Sequence, residues 1–137
     1  MSEINTEYLQ RCLDILLKSY EMIKTTDEGS IEYEMYRNSL VKSFEMTLEQ
    51  SGKLLRKKLL PFFATKKALD ALSFKDLFRS AFKFSLISED AVLRWFEYRD
   101  NRNNTAHDYG QKFAQQTMLL VERFIDDVKI LKEVIDK

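Results

Sequence analysis

The sequence predicts an all-α protein, an antiparallel up-and-down bundle of about five helices that forms one domain over residues 1–137. Apolar residues recur at three- and four-residue steps along most of the chain, which is the spacing of helices with one buried face. The 137 residues include only three glycines and one proline, too few for the frequent turns of a many-stranded β fold. A chain of this length is expected to build one core.

The first two helices are predicted on either side of a polar loop at residues 25–30, which contains Gly29. The first covers residues 4–24. The second ends at about Leu60, because the ring of Pro61 fixes φ and its nitrogen has no hydrogen to donate. Their buried faces are predicted to consist of Leu9, Leu13, Leu16, Tyr20 and Ile23 in the first helix, and Tyr33, Tyr36, Leu40, Phe44, Leu48, Leu55 and Leu59 in the second.

Residues 61–72 are predicted to be a connector with one turn of helix at residues 66–69. Two further helices begin at Ser73 and Ser88, whose hydroxyls can cap the free N–H groups of a first helical turn. Asp76 stands at the third position after Ser73 and would complete a capping box in its Asp form. A polar stretch at residues 100–110 then predicts the last loop, and a long final helix follows Gly110.

The chain is rich in aromatic residues, with ten phenylalanines, six tyrosines and one tryptophan. Helix propensity alone would not favour so many bulky rings. They are expected either to fill the core of the bundle or to leave an apolar face through which two copies form a homodimer.

Composition predicts a cytoplasmic protein without a role in membranes. The lone Cys12 has no partner for a disulfide within the chain, no secretory leader is recognisable, and charged residues interrupt every apolar run before it reaches about 20 residues. Basic and acidic residues balance at 22 each, so no global positive field draws the protein to nucleic acid. Any RNA contact must therefore use local charge.

Two local groups of basic residues could provide that charge. The first is the run at residues 53–58, which contains Lys53, Arg56, Lys57 and Lys58. Runs of this kind are most often solvated faces. The second group consists of Arg94, Arg99 and Arg102, which recur at helical spacing.

The candidate chemistry lies in residues 99–109. The sequence has no glycine-rich phosphate loop, and its single histidine and single cysteine cannot build a familiar metal site, so neither a metal nor another cofactor is predicted. His107 can transfer a proton near neutral pH. Arg102, with Arg99 one turn earlier, can hold a phosphate. These groups suffice for metal-independent RNA cleavage.

Cleavage through a 2′-hydroxyl benefits from both a base and an acid, whereas one chain offers one imidazole. A homodimer with its two-fold axis near this segment would supply two copies of Arg102 and His107. A plainer interpretation stays open. In it, His107 bonds to the backbone or to Asp108, Tyr109 packs at the base of the last helix, and Asn103 helps to end the preceding helix.

The order of residues in this segment resembles a known family. Arg102-Asn-Asn-Thr-Ala-His107-Asp-Tyr109 looks like the Arg-x4-His-x-Tyr motif of the nucleotidyltransferase-associated HEPN proteins. Residues 36–47, which contain the pair Phe44-Glu45, resemble that family's second-helix pattern, and residues 73–82 resemble the segment ahead of the motif helix. The similarity extends from about Leu9 to Phe124.

The resemblance implies a HEPN-like helical bundle that acts as a dimer and is the RNA endonuclease toxin of a toxin–antitoxin pair. Arg102 and His107 would be the catalytic residues and Asn103 a polar helper, while the choice between Arg99 and Arg102 as the phosphate contact stays open. Tyr109 would receive AMP from a cognate minimal nucleotidyltransferase, which silences the toxin. The alternatives are a non-catalytic substrate-binding subunit of a two-component nucleotidyltransferase and a scaffold dimer whose polar segment only connects helices.

Overall fold

The computed structural model describes the backbone of residues 4–105 and 111–137 and the side chains of residues 4–103 and 115–137. Over these ranges the chain is helical and contains no strand, which confirms the predicted fold class. A single 3-10 turn at Leu60–Phe62 follows the second helix. The helices are α1 (Glu7–Ile23), α2 (Ile31–Leu59), α3 (Lys66–Asp70), α4 (Phe74–Lys83), α5 (Glu89–Thr105) and α6 (Gln111–Asp136).

Helix α2 is the centre of the bundle, because it contacts each of the other five helices. Its predicted apolar stripe is buried at Leu40, Phe44 and Leu48, and the stripe of α1 packs against it. The hydroxyls of Ser19 and Ser39 are 2.6 Å apart and join α1 to α2 within this contact. One continuous cluster of buried side chains includes residues from all six helices.

The centre of that cluster is aromatic. Trp95 of α5 stacks on Phe78 of α4 with ring centroids 4.6 Å apart, and it meets Phe124 of α6 edge-on at 5.7 Å. The ring centroids of Phe44 of α2 and Phe124 lie 4.4 Å apart. Such pairs contribute about 0.5–1.5 kcal/mol of stability beyond that from the apolar area that they bury. The interpretation that the aromatic residues fill the core is therefore correct for these rings.

The predicted helix starts are confirmed. The Ser73 hydroxyl accepts a hydrogen bond from the Asp76 backbone N–H at 3.2 Å, and Ser88 caps α5 in the same way through Ala91. A hydrogen bond from Ser73 lowers the pKa of the Asp76 carboxyl, and Arg79 lowers it further. The N-terminal end of α4 is thus fixed by local sequence, as its capping pattern predicted.

The connector contains the short helix α3 where a turn was predicted, and Arg56 of α2 holds it in place. The guanidinium of Arg56 donates hydrogen bonds to the carbonyl oxygens of Leu69 and Leu72, at 2.6 and 3.1 Å. The interpretation of the 53–58 run as a solvated face is therefore wrong for Arg56. Lys53 and Lys57 of the same run are exposed.

The prediction of a loop beginning at residue 100 is also wrong, since α5 continues to Thr105. The polar residues beyond Asp100 find partners on other helices. Asn101 is buried and donates a hydrogen bond to the Thr117 hydroxyl of α6 at 3.1 Å, and Arg102 forms ion pairs with α2. These tertiary contacts outweigh the low helix propensity of asparagine. Residues 106–110, the rest of the predicted loop, lie outside the described residues.

Gly52 of α2 lies against the Phe74 ring of α4. A Cβ atom at this position would come within 3.0 and 3.1 Å of two ring atoms of Phe74. We expect Gly52→Leu to destabilise the protein by about 1–3 kcal/mol, because a larger side chain forces the Phe74 ring out of its position. Urea unfolding measures this change. Gly29→Ala is the control, since no atom lies within 4 Å of its added Cβ, and equal stability losses in the two variants would contradict the prediction.

None of the helices, as far as the described residues extend, combines the length and the apolar character needed to span a lipid bilayer.

Candidate functional site

The candidate site is built where the C-terminal part of α5 lies against α2. Arg99 stacks on the ring of Phe74, which itself packs at Gly52 of α2. One turn later, Arg102 contacts Glu45 and Glu49. The two arginines therefore contact different helices, Arg99 a ring of α4 and Arg102 two carboxylates of α2.

Arg102 is held by two carboxylates from successive turns of α2. Its Nη2 atom lies 3.0 Å from Oε1 of Glu45 and 3.4 Å from Oε1 of Glu49. The side chains of Arg102 and Glu45 are 26% and 20% exposed, whereas that of Glu49 is 56% exposed. Of these two carboxylates, Glu45 is the stronger anchor, because its contact is shorter and less open to solvent. The guanidinium is positioned at the surface of the bundle.

Arg99 has a different environment. Its guanidinium carbon lies 5.0 Å from the centroid of the Phe74 ring, within the range of a cation–π contact. On the neighbouring turns, Lys75 of α4 forms an ion pair with Asp100 at 2.8 Å. Arg99 therefore helps to hold α5 against α4, whereas Arg102 faces the acidic residues of α2. The three arginines predicted as one basic group have separate partners.

The third of these arginines belongs to a network that joins α5 to α6. Arg94 donates two hydrogen bonds to the carboxylate of Asp127, at 2.8 and 2.9 Å. The hydroxyl of Tyr98 donates to the same carboxylate. Burial raises the pKa of Tyr98 above its usual range, and the hydrogen bond to Asp127 acts in the same direction. The phenol therefore stays protonated, and the network fixes the helix that carries Arg102.

The structure places two of the five residues singled out in the sequence on the same face of α5. These are Arg99 and Arg102, and the adjacent Asn103 is exposed on that helix. His107 and Tyr109 lie outside the described residues. The predicted pairing of Arg102 with His107 and the predicted modification of Tyr109 therefore stay predictions.

Described residues line cavities at two places on the surface of the bundle. One, of about 310 Å³, is lined by Asn38, Val41, Lys42 and Glu45, four residues on one face of α2. The other, of about 530 Å³, lies between the α4–α5 connection and α6, and the pair Arg94–Asp127 forms part of its wall. The smaller cavity borders the Arg102 site, because Glu45 belongs to both.

Sequence reasoning missed the acidic partners of these arginines. Glu45 and Glu49 are 57 and 53 residues from Arg102 along the chain, and Asp127 is 33 residues from Arg94. Helical spacing within one segment gives no indication of such pairs. The one available signal was the Phe44-Glu45 pair in the family pattern. Its two members have separate roles here, since Phe44 packs in the core and Glu45 holds Arg102.

The described part of the chain is all-α, and Arg102 near the end of α5 is held by Glu45 and Glu49. Arg102 is also the first residue of the Arg-x4-His segment that ends at His107. A sequence model of the family described as "Nucleotidyltransferase substrate binding protein like" matches residues 5–137. The chain therefore belongs to this family, the nucleotidyltransferase-associated HEPN proteins.

The chain is similar to known proteins in both sequence and structure. It is 31% identical over 93 residues to the "Probable ribonuclease HepT" of Haemophilus influenzae, an alignment that covers 68% of this chain and 62% of that protein's length. A solved Haemophilus influenzae structure, described as the fold of a substrate binding domain of a nucleotidyltransferase, matches with a TM-score of 0.81 and 24% identity. That match covers 97% of this chain and 100% of the other. At this identity it shows the fold.

Proposed function

We propose that this protein is a metal-independent RNA endonuclease that works as a homodimer, with Arg102 and His107 as catalytic residues. The observation that carries the proposal is the fixed guanidinium of Arg102, held by Glu45 and Glu49 at the end of the helix that leads to the sole histidine. The name of the relative, a probable ribonuclease, supports the same activity.

In the proposed reaction, the 2′-oxygen of a ribose attacks the adjacent phosphorus while the bond from phosphorus to the 5′-oxygen breaks. One imidazole removes the 2′-hydroxyl proton, and a second donates a proton to the leaving 5′-oxygen. The product is a cyclic phosphate, so the cleavage step requires neither water nor an oxidant. Because each chain has one histidine, the second imidazole is His107 of the other copy.

Arg102 would bind the phosphate and stabilise the charge that grows on its oxygens. The two carboxylates affect this role in opposite ways. Glu45 keeps the guanidinium in one orientation, so less conformational freedom is lost when RNA binds. Glu49 adds a negative charge that a phosphate must approach, but its side chain is 56% exposed and can turn toward water.

The activity is tested by incubating the purified protein with RNA in EDTA, beside Arg102→Ala and His107→Ala. We expect only the unmodified sequence to cleave, with cyclic-phosphate ends. Cleavage that all three proteins perform equally, or cleavage that EDTA abolishes, would contradict the proposal. Lys18→Ala, an exposed change on α1, controls for loss of activity through handling.

The contribution of Glu45 is tested separately. We expect Glu45→Ala to lower kcat by about 10- to 100-fold with a smaller change in KM, because a loosely held Arg102 spends less time in the productive position. Glu45→Gln should recover part of the loss. Glu49→Ala is the matched comparison and should change kcat by no more than about threefold, since exposed ion pairs contribute little. Similar kcat losses for the two alanine variants would argue against Glu45 as the anchor.

We further propose that the nuclease is the toxin of a toxin–antitoxin pair, silenced when a cognate minimal nucleotidyltransferase attaches AMP to Tyr109. The tyrosine oxygen displaces pyrophosphate from ATP, and the phosphodiester formed adds negative charge and bulk two residues from His107. Mass spectrometry after incubation with that enzyme and ATP should show the added AMP on Tyr109. Undiminished transfer to Tyr109→Phe would overturn this assignment.

A second candidate function is a non-catalytic subunit that presents a substrate to a nucleotidyltransferase. The description of the matched family and that of the similar solved structure favour it. This function predicts tight binding to the nucleotidyltransferase and no RNA cleavage by the protein alone or in the complex. The EDTA experiment, repeated with the partner present, separates the two functions.

A further inference from the structure

We propose that the cavity on α2 binds the nucleobase next to the cleaved phosphate, and that Asn38 gives the nuclease its base preference. This inference rests on the proposed RNA cleavage and adds a substrate-recognition site to it. The cavity is lined by Asn38, Val41, Lys42 and Glu45 and has a volume of about 310 Å³. That volume is at the small end of the range for ligand sites, about 300–1,000 Å³, as expected for one base.

The cavity lies next to the place where Arg102 of α5 contacts α2. Arg102 contacts Glu45 and Glu49, and Glu45 also lines the cavity. A phosphate at Arg102 would thus have its neighbouring nucleoside beside the cavity.

The lining has the groups that a base requires. Val41, a mostly buried residue, is the apolar member of the lining. Asn38 is exposed and offers an amide, which can donate and accept hydrogen bonds in one plane as the edge of a base does. Among the described residues, Glu45 makes its polar contact with Arg102 through Oε1. A carboxylate accepts more than one hydrogen bond, so Glu45 can also accept one from an exocyclic amine of the base.

Lys42 completes the cavity with a positive charge on an exposed, flexible side chain. Such a lysine binds a phosphate as a point charge and does not distinguish bases. The arrangement therefore separates two roles. Asn38 reads the base, whereas Lys42 strengthens binding to every RNA.

The test measures binding and cleavage in separate experiments. His107→Ala protein, which cannot perform the proposed cleavage, is titrated with four labelled hexaribonucleotides that differ at one base. We expect the ratio between the binding constants of the best-bound and the worst-bound sequence to fall at least about fivefold when Asn38→Ala is added. Lys42→Ala should weaken all four sequences alike and reduce the dependence of the binding constant on salt. Lys18→Ala should change neither quantity.

Mapping of cleavage sites on a random RNA pool provides the second measurement, with Asn38→Ala in a chain that keeps His107. The base that the parent protein prefers beside the cut should no longer be over-represented at the cleavage sites. Cleavage with an unchanged preference would overturn the base site and leave the nuclease proposal intact. Base-dependent binding that Asn38→Ala abolishes, without cleavage by any variant, would overturn the nuclease proposal and support the site. RNA binding that does not depend on base in the parent protein would overturn the site.

Discussion

Asp127→Ala is expected to destabilise the protein by about 3 kcal/mol, the largest loss among single substitutions of the charged network. The carboxylate is 4% exposed, and it accepts two hydrogen bonds from Arg94 and one from the hydroxyl of Tyr98. Its removal leaves the phenol buried without this acceptor. This loss lies at the low end for a broken buried pair, because the Arg94 side chain is 31% exposed and can turn to water.

Urea unfolding followed by circular dichroism measures this loss. Asp126→Ala is the matched control, because Asp126 is the exposed neighbour of Asp127 on α6, and we expect its effect to stay within about 0.5 kcal/mol. Tyr98→Phe, which removes one hydrogen bond but keeps the ring, should cost about 0.5–1.5 kcal/mol. Equal stability for the two aspartate variants would mean that the network does not join α5 to α6.

The parts of the fold that could be predicted from the sequence are those that depend on local physics. Helix periodicity placed the buried faces of α1 and α2, and side-chain chemistry placed the caps at Ser73 and Ser88. Each of these signals lies within a few residues of the structure that it predicts. The end of α5 was predicted wrongly because residues 101 and 102 read as polar loop, while their helical state depends on Thr117 and Glu45.

The same distinction applies to the candidate site. The sequence identified Arg102 through its spacing to His107, but it could not reveal what holds the guanidinium. In the sequence, Glu45 is one of several acidic residues on an amphipathic helix. Only the packing of α5 against α2 shows that it contacts Arg102. Likewise, Arg94 and Arg102 look equivalent at helical spacing, yet one joins two helices and the other lies beside a cavity. Tertiary contact, not residue type, separates these roles.

His107→Ala is expected to lower RNA cleavage by about 10²–10⁴-fold, the usual contribution of a general acid or base. Because the proposed mechanism requires an imidazole from each copy, it also predicts the activity of a dimer in which only one chain has His107. A heterodimer with one intact and one His107→Ala chain should therefore be nearly as inactive as the double variant. In a protein with two independent sites, the same heterodimer would keep about half of the activity.

The heterodimer can be isolated by giving the two chains different affinity tags and purifying on both in sequence. Dimers that carry both tags, with the parent sequence in each chain, provide the reference for full activity. A heterodimer with Lys18→Ala in one chain controls for the tags and the handling, because that side chain is exposed on α1. Retention of half the activity with one His107→Ala chain would restrict each reaction to a single imidazole. The acid for the leaving oxygen would then have to be a group other than histidine, because the chain contains no second one.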